Sequence, residues 1–159
     1  MKKKISIELI KHRLEQSKED LESAEILFDN EKFKSANNRA YYSIFHSMKA
    51  VLGFEGEDFK KHKDVIAYFN KNYIKTEIFP RKLGRKISEA STLREDSDYD
   101  DEFIADKEET YNQIELAKEL YNLCEEYILN KIYELSQNNS QNQNVKKSNS
   151  EEDDEEEDR

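Results

Sequence analysis

Apolar side chains recur at a strict seven-residue spacing in the first thirty residues of the chain. The repeat consists of Ile7, Leu14, Leu21 and Phe28. Seven residues are close to two turns of an α-helix, so these side chains lie on one face of a single helix. Ser6 is a suitable N-cap, and Asp29-Asn30 is a suitable end. The pattern therefore predicts an amphipathic helix of about six turns at the N-terminus.

The rest of the chain also favours helices over strands. Its 159 residues include three glycines and one proline, and few stretches alternate apolar and polar side chains. Helical periodicity predicts a second helix over Lys32–Leu52, a third over about Lys60–Asn72, a fourth that opens at Phe79-Pro80 and a last helix capped by Asp106. The acidic stretch Glu95–Glu102 is predicted to be a loop. We therefore expect an all-α fold, an antiparallel up-and-down helical bundle of about five helices.

Composition divides the chain into two parts. Residues 136–150 are rich in Asn, Gln, Ser and Lys, and residues 151–159 hold eight acidic residues and one arginine. A segment that repels itself and has almost nothing apolar to bury stays disordered. The prediction is a helical bundle over residues 1–135, long enough for one hydrophobic core, and a disordered polar and acidic tail over residues 136–159.

Charge is unevenly distributed along the bundle. The whole chain has a formal net charge of −10, yet residues 60–86 contain nine lysines and arginines against two acidic residues. Such a segment can hold a phosphate backbone even on an acidic protein. The alternative is that this segment forms a solvated helix face. The charge distribution by itself favours this alternative over phosphate binding.

The second helix carries an arginine and a histidine seven positions apart, Arg39 and His46. At about 100° per residue, Arg39, Ser43 and His46 fall within about 60° of one another at the margin of the apolar face, where they would line a crevice. Arg39 can bind a phosphodiester, and a neutral His46 can accept the proton of a ribose 2′-hydroxyl. Asn38, Tyr42 and Ser43 complete this candidate site for binding and cleaving RNA without a metal, with Tyr42 stacking on a base. The structural alternative is a hydrogen-bonded histidine at the edge of the core.

Another histidine lies within a basic run. This run consists of Lys60, Lys61, His62 and Lys63. The adjacent cations favour the neutral form of His62. The run can contact RNA phosphates, or His62 can cap the third helix, and for His62 itself the cap is the favoured interpretation.

An arginine, an aspartate and a tyrosine lie together in residues 93–100. Arg94 and Asp98, with Tyr99 as their neighbour, are expected to form a structural motif in which an ion pair pins a loop to the bundle. The single cysteine, Cys124, excludes an internal disulfide and is expected to be buried in the last helix.

Several classes of site and location receive no support from the sequence. No Cys/His cluster has the spacing of a zinc site, so we expect no metal and no cofactor. No apolar run is long enough to span a membrane, and no signal-peptide core follows Met1. A cytoplasmic protein without a membrane partner is therefore expected.

Three motifs in a fixed order resemble the HEPN domain family, in particular its small stand-alone bacterial and archaeal members. They are RAYYSIFHSMKAVL, KKHKDVIAYFNKNYIKTEIFPRKLG and LREDSDYDD. The similarity covers about residues 10–130. The resemblance implies a helical bundle that forms a homodimer, in which the Arg-x(4–6)-His motifs of two chains face each other. That motif corresponds here to Arg39 and His46, and the group at residues 94–99 falls in a recurrent family motif.

Active members of this family are metal-independent ribonucleases, often toxins whose antitoxin is a small nucleotidyltransferase. The resemblance therefore implies an enzyme that leaves a 2′,3′-cyclic phosphate and has RNA and a nucleotidyltransferase antitoxin as partners. Two positions differ: Ala40 stands where many members have Asn, Asp or His, and Met48 stands where a toxin branch has a modified tyrosine. These differences leave open a non-catalytic HEPN module that binds a nucleotide or a protein partner, and a purely structural helical adaptor.

Overall fold

The computed structural model describes residues 6–56 and 58–157, with side chains described for residues 6–56 and 58–143. Five α-helices follow one another in this part of the chain, and no strand lies between them. They are α1 (Ile7–Asp29), α2 (Phe33–Leu52), α3 (His62–Phe69), α4 (Lys82–Tyr99) and α5 (Lys107–Glu157). A 3₁₀ turn, Gly53–Glu55, follows α2, and a π-helical turn, Asn70–Ile74, follows α3. The prediction of an all-α bundle of about five helices is confirmed.

Helices α1 and α2 form an antiparallel hairpin with a connection of three residues. The side chain of Ser6 caps α1 by accepting a hydrogen bond from a backbone N–H in the first turn at 3.2 Å. Next to the connection, the ring of Phe28 packs edge-on against that of Phe33 with centroids 5.4 Å apart. At the other end of the hairpin, Arg13 donates a hydrogen bond to the carbonyl of Lys49 at 3.3 Å. The predicted ends of both helices are confirmed to within a residue.

Helix α2 is the central element of the bundle. Twelve of its 20 residues are buried. On one side the carbonyl of Asn37 accepts a hydrogen bond from Gln113 of α5 at 3.3 Å. On another side the guanidinium of Arg94 from α4 lies over the ring of Tyr41 at 5.1 Å. Together with α1, these neighbours enclose α2, as its broad apolar face predicts.

Two glycines lie where neighbouring segments approach closely. A Cβ atom built on Gly53, just after α2, would lie 2.6 Å from Cγ1 of Ile10 on α1. A Cβ atom on Gly84 of α4 would lie 3.2 Å from Cγ2 of Ile74. The absence of a side chain at Gly53 therefore allows α1 to pack closely against the end of α2. The absence of a side chain at Gly84 allows α4 to pack closely against the π-helical turn.

The connection from α2 to α4 differs in detail from the prediction. The predicted third helix, Lys60–Asn72, corresponds to α3 together with the start of the π-helical turn. Phe79 is buried. Pro80 precedes α4 by two residues instead of occupying its first turn.

Helix α4 extends further than the sequence suggests. The prediction of a loop over Glu95–Glu102 is wrong for residues 95–99, which are helical. Two features stabilise this last stretch: Ser97 is buried, and Arg94 pairs with Asp98 one turn later within the same helix. The acidic composition of the stretch favours a loop, and it does not show the burial of Ser97, which depends on neighbouring helices.

Helix α5 begins at the predicted position. Its N-cap Asp106 accepts hydrogen bonds through Oδ1 from the backbone N–H groups of Glu108 at 2.7 Å and Glu109 at 3.1 Å. The chain forms two compact units that divide within this helix, between Glu126 and Tyr127.

The C-terminal part of α5 carries the segment predicted to be a tail. Its backbone is helical to Glu157, and the side chains of residues 136–143 are all exposed. A helix that buries nothing is only marginally stable in water. The domain boundary at residue 135 and the disorder of residues 136–159 therefore stay predictions.

Candidate functional site

Helices α1 and α2 enclose a cavity of about 400 Å³ that opens to the surface. Arg39 and His46 both line it, in accordance with their helical spacing. Two other predicted site residues, Asn38 and Tyr42, are half-buried in the same wall. All the lining side chains come from these two helices: they are Gln16, Glu19, Asp20, Asn38, Arg39, Tyr42 and His46.

A single carboxylate, that of Asp20 on α1, contacts both members of the Arg39–His46 pair. Its Oδ1 accepts a hydrogen bond from Nη1 of Arg39 at 3.3 Å. Its Oδ2 lies 3.6 Å from Nε2 of His46. The side chain of Asp20 is 15% exposed and that of Arg39 is 55% exposed. The carboxylate is therefore part of the cavity wall, whereas the arginine remains accessible to a ligand.

The pKa of His46 is lowered from its ordinary value. Burial of the ring is the largest cause, and the cations of Lys49 and Arg13 act in the same direction. The carboxylate of Asp20 opposes them and raises the pKa. The net effect favours the neutral imidazole at neutral pH, which is the form that can accept a proton.

Asp20 was not identified from the sequence, although a signal was present. Arg13, Ser17 and Asp20 are spaced by four and three residues, so they share one side of α1. The same side carries buried apolar residues such as Ile10 and Leu14. Polar residues within an otherwise apolar stripe indicate a buried network or a site.

Ser43 lies in the core and not in the cavity. Its exposed fraction is 0%. The Oγ of Ser17 donates a hydrogen bond to the carbonyl of Ser43 at 2.7 Å, and lies 3.0 Å from Oγ of Ser43 and 2.6 Å from Oγ of Ser47. The prediction that Ser43 binds RNA is therefore wrong, because α1 covers this margin of the apolar face of α2.

His62, the first residue of α3, is enclosed by three other side chains. Its ring stacks on Phe45 with centroids 3.9 Å apart. Its Nδ1 accepts a hydrogen bond from Nη1 of Arg94 at 3.1 Å and lies 3.0 Å from the hydroxyl of Tyr41. Because an arginine can only donate, Nδ1 carries no proton and the ring is neutral. The interpretation of His62 as a helix cap is wrong, since the N-cap of α3 is Lys61.

The pKa of His62 is lowered for reasons that the sequence does not show. Burial is the largest cause, and the charge of Arg94 is the next. The adjacent lysines, which the sequence indicates as the cause of the neutral form, are not among these causes. Lys60, Lys61 and Lys63 are exposed, and no carboxylate among the described residues lies within ion-pair distance of them. These three lysines therefore remain available to a negatively charged ligand.

Arg94 and Asp98 pair as predicted, but within a helix instead of between a loop and the bundle. Nε of Arg94 lies 3.1 Å from Oδ2 of Asp98, off the direction of a hydrogen bond, so the contact is an ion pair. The guanidinium lies 5.7 Å from the ring of Tyr42, which lines the cavity. Tyr99 takes no part, because its side chain is 87% exposed at the end of α4.

Cys124 is fully buried, and burial raises the pKa of its thiol. Within residues 6–56 and 58–157, no group of three or more His, Cys, Asp or Glu side chains could hold a metal ion. None of the helices in that part of the chain is long and apolar enough to cross a membrane.

The fold and the cavity define a class of protein: a small helical bundle with an Arg-x(6)-His motif exposed on its central helix. The chain belongs to the HEPN domain family, which it matches over residues 10–127. This match includes both helices of the cavity and the Arg94–Asp98 pair.

Similar curated proteins come from Thermotoga maritima and Methanocaldococcus jannaschii. A UPF0332 protein of Thermotoga maritima is 30% identical over 120 residues, which cover 76% of this chain and 91% of that protein. Two proteins of Methanocaldococcus jannaschii are each named a putative toxin. One is 32% identical over 118 residues, covering 74% of this chain and 80% of that protein. The other is 38% identical over 92 residues, covering 58% of this chain and 69% of that protein.

Proposed function

We propose that this chain is a HEPN-type, metal-independent endoribonuclease that acts on single-stranded RNA. The cavity between α1 and α2 is the observation that supports it most. There, an accessible guanidinium and a half-buried imidazole, those of Arg39 and His46, contact one carboxylate. A cation for the phosphate and a neutral base for the 2′-hydroxyl are the groups that RNA transesterification requires.

The reaction uses the two side chains in distinct ways. Arg39 binds a non-bridging oxygen of the scissile phosphate and offsets the charge that develops on it. His46 accepts the proton of the 2′-hydroxyl, or positions that hydroxyl, while the 2′-oxygen attacks phosphorus. The new O2′–P bond forms as the P–O5′ bond breaks, and the 5′-oxygen takes a proton from solvent. The products are a 2′,3′-cyclic phosphate and a 5′-hydroxyl, and His46 returns its proton to solvent.

The surroundings of the cavity suit a single-stranded ligand. Tyr42 presents a half-buried ring on which a base can stack, and Asn38 adds an amide for hydrogen bonding. The exposed lysines of the 60–63 run would guide the phosphate backbone. Because the ring of His62 stacks on Phe45, the three lysines carry this role in the proposal.

The biological setting is also part of the proposal. Two relatives carry the name putative toxin, which supports a toxin role. A nucleotidyltransferase antitoxin and a cytoplasmic location, which the family resemblance implies, complete the proposal. A homodimer would bring two cavities together. Met48, at the position of the modified tyrosine in a toxin branch, is fully buried. The antitoxin would therefore act by some means other than modification at this position.

Cleavage assays on two variants test the enzyme assignment. Purified protein with excess EDTA should cleave single-stranded RNA and leave 2′,3′-cyclic phosphate ends. His46→Ala should lower kcat by roughly a hundredfold or more, because the general base is lost. Arg39→Ala should lower kcat/KM by a similar factor, because the phosphate loses its cation. His12→Ala, an exposed histidine on α1, is the matched control. Equal cleavage by His46→Ala and the parent would show that the assignment is wrong.

One observation favours a second candidate, a non-catalytic HEPN module that binds a nucleotide or a protein partner. Ala40, which follows the motif arginine, is fully buried and places no polar group beside the pair. This candidate predicts no cleavage by the wild-type protein in EDTA but measurable binding of a nucleotide or of a nucleotidyltransferase. Arg39→Ala should then weaken binding without affecting any cleavage.

A further inference from the structure

We propose that Asp20 is a positioning residue of this site: it orients His46 through Nε2 and holds Arg39 until an RNA phosphate displaces it. The inference rests on the proposed ribonuclease function and adds a third side chain to the pair. Asp20 comes from α1, whereas the motif lies on α2. The site is therefore built from both helices of the hairpin.

The contact with His46 selects which ring nitrogen can accept a proton. A carboxylate only accepts hydrogen bonds, so Oδ2 of Asp20 favours the tautomer with the proton on Nε2. Nδ1 is then the basic nitrogen, and no side chain or backbone group among the described residues hydrogen-bonds to it. The separation of 3.6 Å is long for a hydrogen bond. Such contacts often shorten when a substrate binds.

The contact with Arg39 gives Asp20 its second role. The ion pair uses one guanidinium nitrogen, Nη1, and the arginine side chain is 55% exposed. Exposed pairs of this kind contribute little stability, so a phosphodiester oxygen can replace the carboxylate as the partner of Arg39. The negative charge of Asp20 then repels the bound phosphate and weakens RNA binding. The same charge raises the pKa of His46 and so makes it a stronger base.

Several charged or titratable groups besides Asp20 face His46 or its cavity. They are His12, Arg13 and Glu19 on α1, Arg39 and Lys49 on α2, and His62 on α3. Burial and the cations of Lys49 and Arg13 lower the pKa of His46, and Asp20 raises it. Removing the carboxylate should therefore make His46 a weaker base.

The test compares Asp20→Asn with Glu19→Gln in the full-length protein. Both remove one negative charge from the same cavity, but among the contacts described here only Asp20 contacts the pair. With single-stranded RNA as substrate, Asp20→Asn should lower kcat on the order of tenfold and also lower KM. The acidic limb of its pH profile should move to lower pH. Glu19→Gln should leave that limb at the wild-type position.

A second measurement does not depend on cleavage. NMR of the imidazole nitrogens should show the Nε2–H tautomer for His46 in the wild-type protein. Titration of the same ring should give a lower midpoint in Asp20→Asn than in wild type or Glu19→Gln. An Nδ1–H tautomer, or equal midpoints in Asp20→Asn and wild type, would overturn the role of Asp20. A wild-type protein that fails to cleave RNA would instead overturn the proposed function, and the NMR result would still decide whether Asp20 orients His46.

Discussion

His62 lies in a basic run typical of RNA-binding segments, but its side-chain contacts are those of a structural residue. Its sequence neighbours are three lysines, yet its contacts are Phe45, Tyr41 and Arg94. The guanidinium of Arg94 also lies over Tyr42, a wall of the cavity. His62 and Arg94 therefore pack against aromatic rings of the cavity helix α2, and the hydrogen bond between them requires a neutral His62.

The low pKa of His62 makes the stability of the fold dependent on pH. Between its unfolded pKa of about 6.5 and its lower folded pKa, the unfolded chain binds a proton that the folded chain does not. The free energy of unfolding should therefore fall as the pH drops through this window and level off below the folded pKa. His46, whose pKa is lowered too, adds to the same trend.

Urea denaturation at about pH 7.5 and about pH 5.5 measures this effect. His62→Gln, which can still accept a hydrogen bond from Arg94, should lose less stability on acidification than wild type. His12→Gln, at an exposed position, is the control. Identical losses in wild type and His62→Gln would contradict a neutral His62 ring in the folded protein.

At the scale of the helix, the close approach at Gly53 is sensitive to a single methyl group. An added Cβ would lie 2.6 Å from Cγ1 of Ile10, whose side chain is buried, so one of the two segments must shift. Gly53→Ala should therefore destabilise the protein by about 1–3 kcal/mol. At Gly84 the new contact, at 3.2 Å from Ile74, is milder, and alanine gains helix propensity. Gly84→Ala should change stability by less than about 1 kcal/mol.

Thermal or urea unfolding of the two variants checks this pair of predictions. The result that would count against the packing argument is a Gly53→Ala protein as stable as the parent. A comparable loss in both variants would point instead to a general intolerance of alanine in these segments.

Helix positions were predictable where local chemistry decides them. The seven-residue repeat of α1, the Ser6 cap and the Asp106 cap each depend on residues a few positions apart. The same local geometry predicted that Arg39 and His46 share a helix side. The sequence could not show that α1 covers Ser43 or that Asp20 meets the pair, because both depend on how two helices pack.

At the scale of the whole chain, the uneven charge suggests an effect on RNA binding. Residues 136–159 carry eight acidic residues against three lysines and arginines, and the described side chains at 136–143 are exposed. Deleting residues 136–159 should leave the free energy of unfolding within about 0.5 kcal/mol of the parent. The shortened chain should bind single-stranded RNA more tightly, because a net negative charge has been removed.

Titrations of labelled RNA at several salt concentrations test this prediction. The gain in affinity should be largest at low salt and should diminish as salt screens the charges. A chain in which the acidic residues of this segment are replaced by their amides is the matched control for length. Equal affinities at low salt would show that the segment has no electrostatic effect on RNA.

The buried hydroxyl cluster of Ser17, Ser43 and Ser47 has a consequence for how this site can change. On α1, Asp20 follows Ser17 by three residues. Because the two helices are antiparallel, this step leads back along α2, from the level of Ser43 and Ser47 to the level between Arg39 and His46. The cluster aligns the two helices, so the carboxylate reaches both the guanidinium and the imidazole. Inserting one residue between Ser17 and Asp20 would rotate the carboxylate by about 100° away from its partners. Side chains around the cavity can therefore be exchanged one at a time, but insertions and deletions within these two segments would dismantle it.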